Sequence, residues 1–89
     1  MKAIVTVVGK DQVGIIAAIC SSLAEFNVNV LDISQTVMQG YFTMMMVVEV
    51  SACTVPVARL CEQMEQVGIS KGLSVRVQRE DIFEAMHRI

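Results

Sequence analysis

The succession of strand and helix patterns most strongly limits how this 89-residue chain can fold. β-Branched residues from Lys2 to Val8 predict a first strand, and apolar residues at helical spacing predict a helix from Val13 to Phe26. Two further strands, Asn29 to Gln39 and Tyr41 to Val50, are separated by a turn at Gly40, which indicates a hairpin. The first half of the chain is therefore predicted to run strand, helix, strand, strand.

The second half adds another helix and another strand. Pro56 favours a helix start, and the helix is predicted to end at Gly68 or, in preference, at Gly72, because glycine commonly ends helices. Strict alternation of apolar and polar residues from Leu73 to Arg79 predicts the last strand. A short tail helix is predicted from Asp81 to Ile89, with one apolar side formed by Ile82, Phe83, Met86 and Ile89.

The order β-α-β-β-α-β is that of the ferredoxin-like, or split βαβ, arrangement. The predicted fold class is α+β, with a four-stranded antiparallel sheet, two helices on one face of it and the short C-terminal helix. The pattern leaves the strand order open between β4-β1-β3-β2 and a related order. A chain of this length is expected to form one domain, residues 1–89.

The composition argues against several classes of function. The net charge is −2 and the seven basic residues are scattered, which disfavours binding to nucleic acid. No apolar run approaches the roughly 18 residues of a membrane helix, and the N-terminus lacks the layout of a signal peptide. Three cysteines without C-x-x-C spacing are typical of reduced thiols, so we expect a cytoplasmic protein without disulfide, metal or cofactor.

Catalysis is not expected either, because no pair of residues suggests a nucleophile and its base. His87 is the only histidine, and it falls on the predicted tail helix without a serine or cysteine partner. A surface or interface role suits it better than a catalytic one. The sequence therefore predicts a binding module and not an enzyme.

The large apolar fraction predicts a partner chain. Hydrophobic residues make up 54% of the sequence, which is high for so small a domain. The first strand and the stretch from Tyr41 to Val48 are apolar on both faces, although helices are expected to cover only one. We therefore expect a homodimer in which an identical chain buries the second face or a strand edge. A monomer that tolerates exposed methionine and valine is the alternative.

The turn between the first strand and the first helix is the best candidate for a binding site. A helix start directs free backbone N–H groups at one spot, which suits a carboxylate, and Asp11 is predicted to cap the helix. Gly14 has no Cβ and lets a ligand approach the backbone. A plain strand-to-helix turn explains the same pattern equally well. The candidate residues are Lys10, Asp11, Gln12, Val13, Gly14 and Ile15.

A second candidate group lies at the start of the second strand. Asn27 is expected to end the first helix in a left-handed conformation, and Asn29 offers donors and an acceptor. Asp32 could accept from an ammonium group, and Val30 lies between them. These groups need a neighbouring subunit to meet the first turn. Turn chemistry for the two asparagines and a solvated strand position for Asp32 are the alternatives.

Three stretches of the sequence carry a family resemblance: Val7 to Ala17, Leu23 to Gln35 and the tail from Arg79 to Ile89. Together they resemble a small stand-alone ACT domain protein. The resemblance implies a regulatory module that pairs, often side by side, and binds an amino acid or similar small metabolite at the pair's interface. It implies contacts from Asp11 to Ile15 and from Asn27 to Asp32. The alternative function is a protein-interaction adaptor that uses the apolar sheet face and the tail helix without a small ligand.

Overall fold

The computed structural model describes residues 1–81, and the predicted tail helix lies outside the described residues except for Asp81. The described elements follow the predicted order βαββαβ. In chain order they are β1 (Lys2–Lys10), α1 (Ile15–Glu25), β2 (Asn29–Met38), β3 (Tyr41–Glu49), α2 (Val57–Lys71) and β4 (Ser74–Arg79).

The four described strands form one antiparallel sheet with the order β2-β3-β1-β4. This is the predicted ferredoxin-like α+β fold, and it resolves the strand order that the pattern left open. The central strands are β1 and β3, so β2 and β4 lie at the edges of the sheet. The hairpin between β2 and β3 turns through Gln39 and Gly40, both with positive φ, as a two-residue type I′ turn requires.

The core lies between one sheet face and the two helices. Alternate residues of β1, β3 and β4 point toward the helices, including Val5, Met46 and Val77, which are directly paired across the sheet. Ile19 and Leu23 of α1 and Leu60 of α2 complete this core, which contains no buried polar side chain among the described residues. The remaining core members are Ala3, Val7, Ile15, Val28, Phe42, Met44, Val48, Val50, Met64, Leu73 and Val75.

The start of α1 differs from the prediction. The helix begins at Ile15 instead of Val13, because Gly14 adopts a left-handed conformation with φ of 87° and serves as the N-cap. Asp11 does not cap the helix, since no side chain makes a capping hydrogen bond there. Asp11 instead donates its backbone N–H to the carbonyl of Gly40 at 2.8 Å. This contact holds the β1–α1 turn against the β2–β3 turn.

Other boundaries agree closely with the sequence, with small shifts. Strand β1 extends to Lys10 because Lys10 still pairs with Tyr41 of β3. Asn27 follows α1 with φ of 60°, the left-handed conformation predicted for it. Helix α2 ends at the preferred glycine, Gly72, whose φ is 72°.

A β-bulge interrupts β2 between Val30 and Asp32. Strict alternation along β2 would place Val30 and Asp32 on one face, but Leu31 is an extra residue in the ladder, so the two lie on opposite faces. Val30 is paired with buried Val48 on the helix side, whereas Asp32 is paired with Val47 on the other face. After the bulge, Ile33, Gln35 and Val37 lie on the helix side.

A candidate ligand cavity at the β1–α1 turn

The β1–α1 turn borders a cavity of about 300 Å³ that reaches across to the second half of β2. Its volume is at the lower end of the roughly 300–1,000 Å³ typical of small-molecule sites. The cavity is open to solvent, and two of its lining residues belong to β2, which forms an edge of the sheet. Its lining residues are Asp11, Gln12, Gly14, Ile15, Ile16, Ala17, Gln35, Val37 and Phe42.

The start of α1 forms one wall of the cavity. The first residues of α1, from Ile15 to Ala17, have no carbonyl partner within the helix, as in any helix start. Neither a capping side chain nor an acidic residue in the first turn neutralises the positive end of the helix dipole. A Cβ built on Gly14 would meet no atom within 4 Å, so the space in front of this turn is open.

The predicted residues of the turn divide into two groups. Asp11, Gln12, Gly14 and Ile15 line the cavity, and the side chain of Gln12 is anchored by donating to the Lys71 carbonyl at 2.9 Å. Val13 is fully exposed at the turn and does not line the cavity. Lys10 also lies outside it, since β1 continues through Lys10 to its pairing with Tyr41.

The predicted residues of the β2 start are far from this cavity within one chain. Helix α1 has 11 residues, so its ends are about 16 Å apart, and Asn27 lies beyond the end opposite the turn. The amide of Asn27 donates to the Ala52 carbonyl at 3.0 Å, and Asn27 and Asn29 border a separate depression of about 200 Å³. The expectation that these groups need a second subunit therefore stays a prediction.

Val30 and Asp32 point to opposite sides of the sheet because of the bulge. Val30 packs against the core. Asp32 lies on the face away from the helices, where its carboxylate accepts from the N–H of Ile33 at 2.9 Å. The predicted contact between the Asp32 side chain and a ligand in the turn cavity stays a prediction. This orientation of Asp32 does not favour it.

Five lining residues were not identified from the sequence: Ile16, Ala17, Gln35, Val37 and Phe42. Gln35 carried a usable signal, because it is the one polar residue in the alternating series Leu31, Ile33, Gln35 and Val37. Its position opposite Met44 places its amide on the helix side, where an apolar residue would be expected. The other four look like ordinary core or surface apolar residues in the sequence.

Groups capable of chemistry are few in the described part of the chain. Residues 1–81 contain no cluster of three or more His, Cys, Asp or Glu side chains that could hold a metal ion. No helix within that range is long and apolar enough to cross a membrane. Burial raises the pKa of the Cys61 thiol, whose Sγ donates to the Val77 carbonyl at 3.1 Å, so this cysteine serves packing.

One exposed carboxylate has a perturbed pKa. Hydrogen bonds from the N-terminal ammonium group, 2.7 Å away, and from Ser51 lower the pKa of Glu49 to about 2. Ser51 also contacts the N-terminal nitrogen directly. These three groups lie at the end of the β1–β3 ladder opposite the cavity, and they fasten the chain start to β3.

Comparison with known proteins agrees with this architecture. A UPF0237 protein of Clostridium acetobutylicum is 48% identical over 89 residues, which is the full length of both chains. A solved structure of an ACT domain protein from Streptococcus pneumoniae superposes with a TM-score of 0.83 at 44% identity and covers 94% of each chain. A formyltetrahydrofolate deformylase from Pseudomonas syringae has a TM-score of 0.79 at 18% identity, over 88% of this chain and 27% of that one, which shows likeness of fold alone.

The family model for the ACT domain matches residues 2–78, which is nearly all of the described range. The predicted resemblance is thus confirmed by the sequence relatives, by the family model and by the fold. This chain belongs to the ACT domain family.

Proposed function

We propose that this chain is a non-catalytic regulatory module that binds an amino acid or a similar small metabolite in the turn cavity, at the interface of a homodimer. ACT domains are regulatory and often ligand-binding modules. The observation that carries the proposal is the uncapped start of α1, introduced by left-handed Gly14 and facing the 300 Å³ cavity.

The ligand class follows from the two kinds of polar group in the cavity. The free N–H groups at the start of α1 and the helix dipole favour a carboxylate. Asp11 lines the same cavity and is exposed, so its carboxylate can accept from an ammonium group. A molecule that carries both charges close together, as an α-amino acid does, satisfies both groups.

The side-chain end of the ligand meets the opposite wall. Val37 and Phe42 present apolar surface there, and Ile16 closes the cavity from α1. Gln35 adds one amide, which can donate to or accept from a polar substituent. This wall favours a small amino acid with an apolar side chain or a single polar group over a charged one.

The β2 edge is the surface we assign to the second copy. Strand β2 pairs only with β3 among the described strands, so its outer backbone groups have no strand partner. Exposed apolar side chains line this edge, with Leu31 47%, Ile33 42% and Val37 55% exposed. Bare edges of this length are usually covered by another chain or protected by charge, and β2 carries only one charged residue, Asp32.

A symmetric pairing explains how the two predicted groups could meet. Antiparallel pairing of two β2 strands about a twofold axis near Ile33 and Ser34 would set residues 29–31 of one copy beside residues 36–38 of the other. The start of the second copy's β2 would then close the open side of the cavity. The predicted contribution of Asn29 and Val30 fits this pairing through their backbone.

A thermal-shift screen against the twenty amino acids at millimolar concentration tests the ligand. A ligand at a hundred times its Kd stabilises the folded state by about 2.7 kcal/mol, which is a large shift for a chain of this size. The shift should vanish in Gly14→Val, because a branched side chain there obstructs the N–H groups. It should persist in Gly72→Val, which imposes the same left-handed strain at a position that does not line the cavity. Equal thermal shifts in both variants would contradict the assignment of the ligand to this cavity. No thermal shift in wild type with any amino acid would favour the adaptor function.

Sedimentation equilibrium tests the assembly. Wild type should show the mass of at least two chains, and Ile33→Lys should reduce it because a lysine on each edge places like charges together. Ile69→Lys is the matched control, since Ile69 is 61% exposed on α2, away from the β2 edge. A wild-type monomer at micromolar concentration would contradict the homodimer.

A further inference from the structure

One polar residue interrupts the apolar helix side of β2. Gln35 is paired with Met44, which is paired in turn with Val7, so the three residues form a row across the helix side of the sheet. Val7 and Met44 are fully buried, whereas Gln35 is exposed. Its neighbours on the same side of β2, Ile33 and Val37, are both apolar. Gln35 therefore places a polar side chain where both the row and the strand would otherwise continue with an apolar one.

The Gln35 amide is the polar side chain of the turn cavity that is still free to meet a ligand. Only Asp11, Gln12 and Gln35 bring polar side chains to the lining. The Gln12 amide already donates to the Lys71 carbonyl at 2.9 Å, and Asp11 is the proposed partner of the ligand's ammonium group. Within residues 1–81 the Gln35 side chain has no hydrogen-bond partner. The other lining residues are Gly14, Ile15, Ile16, Ala17, Val37 and Phe42.

We propose that Gln35 determines specificity by selecting an amino acid whose side chain carries an uncharged hydroxyl or amide group, an inference that rests on the proposed function. A glutamine amide donates through its NH₂ group and accepts through its carbonyl oxygen. A hydroxyl or an amide on the ligand also does both, so it can pair with Gln35 in either direction. An apolar ligand side chain displaces water from Gln35 and gives no hydrogen bond in return, which weakens its binding.

Charged ligand side chains find no counter-charge in this cavity. Among the described residues that line it, none is lysine or arginine, so an acidic side chain would meet only the like charge of Asp11. A basic side chain would compete with the ligand's own ammonium group for that carboxylate. The volume of about 300 Å³ also favours a small ligand. The class that remains is the small polar amino acids, such as serine, threonine and asparagine.

Calorimetric titration of the full chain with matched pairs of amino acids tests this selection. Threonine and valine, serine and alanine, and asparagine and leucine each differ mainly in the presence of a hydrogen-bonding group. Wild type should bind the polar member of a pair about threefold to tenfold more tightly, which is the effect of one net hydrogen bond. Gln35→Met keeps the unbranched side chain but removes the amide. The two Kd values of each pair should then agree within about twofold, because neither member can pair with methionine in this way.

Thr36→Val is the matched control. It removes a hydrogen-bonding group at the next position of β2, where Thr36 is paired with Thr43 on the face away from the helices and does not line the turn cavity. This variant should keep the wild-type preference. Circular dichroism checks that each variant folds, and Gln35→Leu provides the same comparison where Gln35→Met does not.

The outcomes separate this inference from the proposed function. If wild type binds both members of each pair equally, and Gly14→Val abolishes that binding, the selection by Gln35 is overturned while the proposed function stands. A preference that persists in Gln35→Met overturns the selection in the same way. Equal loss of polar and apolar ligands in Gln35→Met would also overturn it, because Gln35 would then support the shape of the cavity. Absence of binding of every amino acid to wild type would overturn both.

Discussion

Substituting Gly14 separates the conformation of the turn from its binding role. Gly14 has φ of 87° and ψ of 8°, and an added Cβ would meet no atom within 4 Å. Gly14→Ala therefore introduces no clash, and its cost is the left-handed conformation itself, about 1–2 kcal/mol for a residue with a Cβ. For a domain of this length each kcal/mol lowers Tm by about 4–8 °C.

Gly72 provides the matched comparison. It has φ of 72° and equally open surroundings, but it ends α2 and does not line the cavity. We expect Gly14→Ala and Gly72→Ala to lower the free energy of unfolding by similar amounts, within about 0.5 kcal/mol, in urea titrations followed by circular dichroism. Asparagine tolerates the left-handed region better, so Gly14→Asn should cost less than Gly14→Ala. A Gly14→Ala variant as stable as wild type would refute the left-handed conformation, and with it the direction in which the turn presents its N–H groups.

Two further predictions concern stability. Ile19→Ala should lower the free energy of unfolding by about 2–5 kcal/mol, because Ile19 is fully buried between α1 and the sheet, and chemical denaturation measures the loss. Glu49→Gln should weaken the dependence of the free energy of unfolding on pH below pH 4.5. The folded pKa of Glu49, about 2, is below its ordinary value of 4.5. The stability that Glu49 contributes is therefore present above pH 4.5 and lost as the pH falls toward 2. Urea titrations at several pH values in that window compare the two proteins, and identical profiles would contradict the bond to the N-terminal ammonium.

Features set by nearby residues could be predicted from the sequence. The left-handed Asn27, the hairpin turn at Gly40 and the helix end at Gly72 each depend on the conformational preferences of one or two residues. The order of elements followed from periodicity. The expectation of a ligand at the first turn followed from the helix start and Gly14, and the family resemblance supported it.

Features set by pairing across the sheet could not be predicted in the same way. The bulge at Leu31 reverses the faces of β2, and no local signal in Asn29 to Asp32 indicates it. Strand β1 continues through Lys10 because β3 is available as a partner. The prediction that Asp11 caps α1 was wrong because Gly14, three residues later, is the N-cap. The backbone N–H of Asp11 donates to the Gly40 carbonyl instead. Gln35 joins the cavity only once β2 has its register.

The position of β2 has a consequence for how binding at the cavity would be detected. This strand borders only β3, has little contact with α1, and has exposed or half-exposed side chains along its whole length. Its outward amides should therefore exchange with deuterated solvent far faster than those of central β1. A ligand or a second chain at this edge would slow that exchange without altering β1. The domain would then report occupancy through the order of a single strand, with no change in its fold.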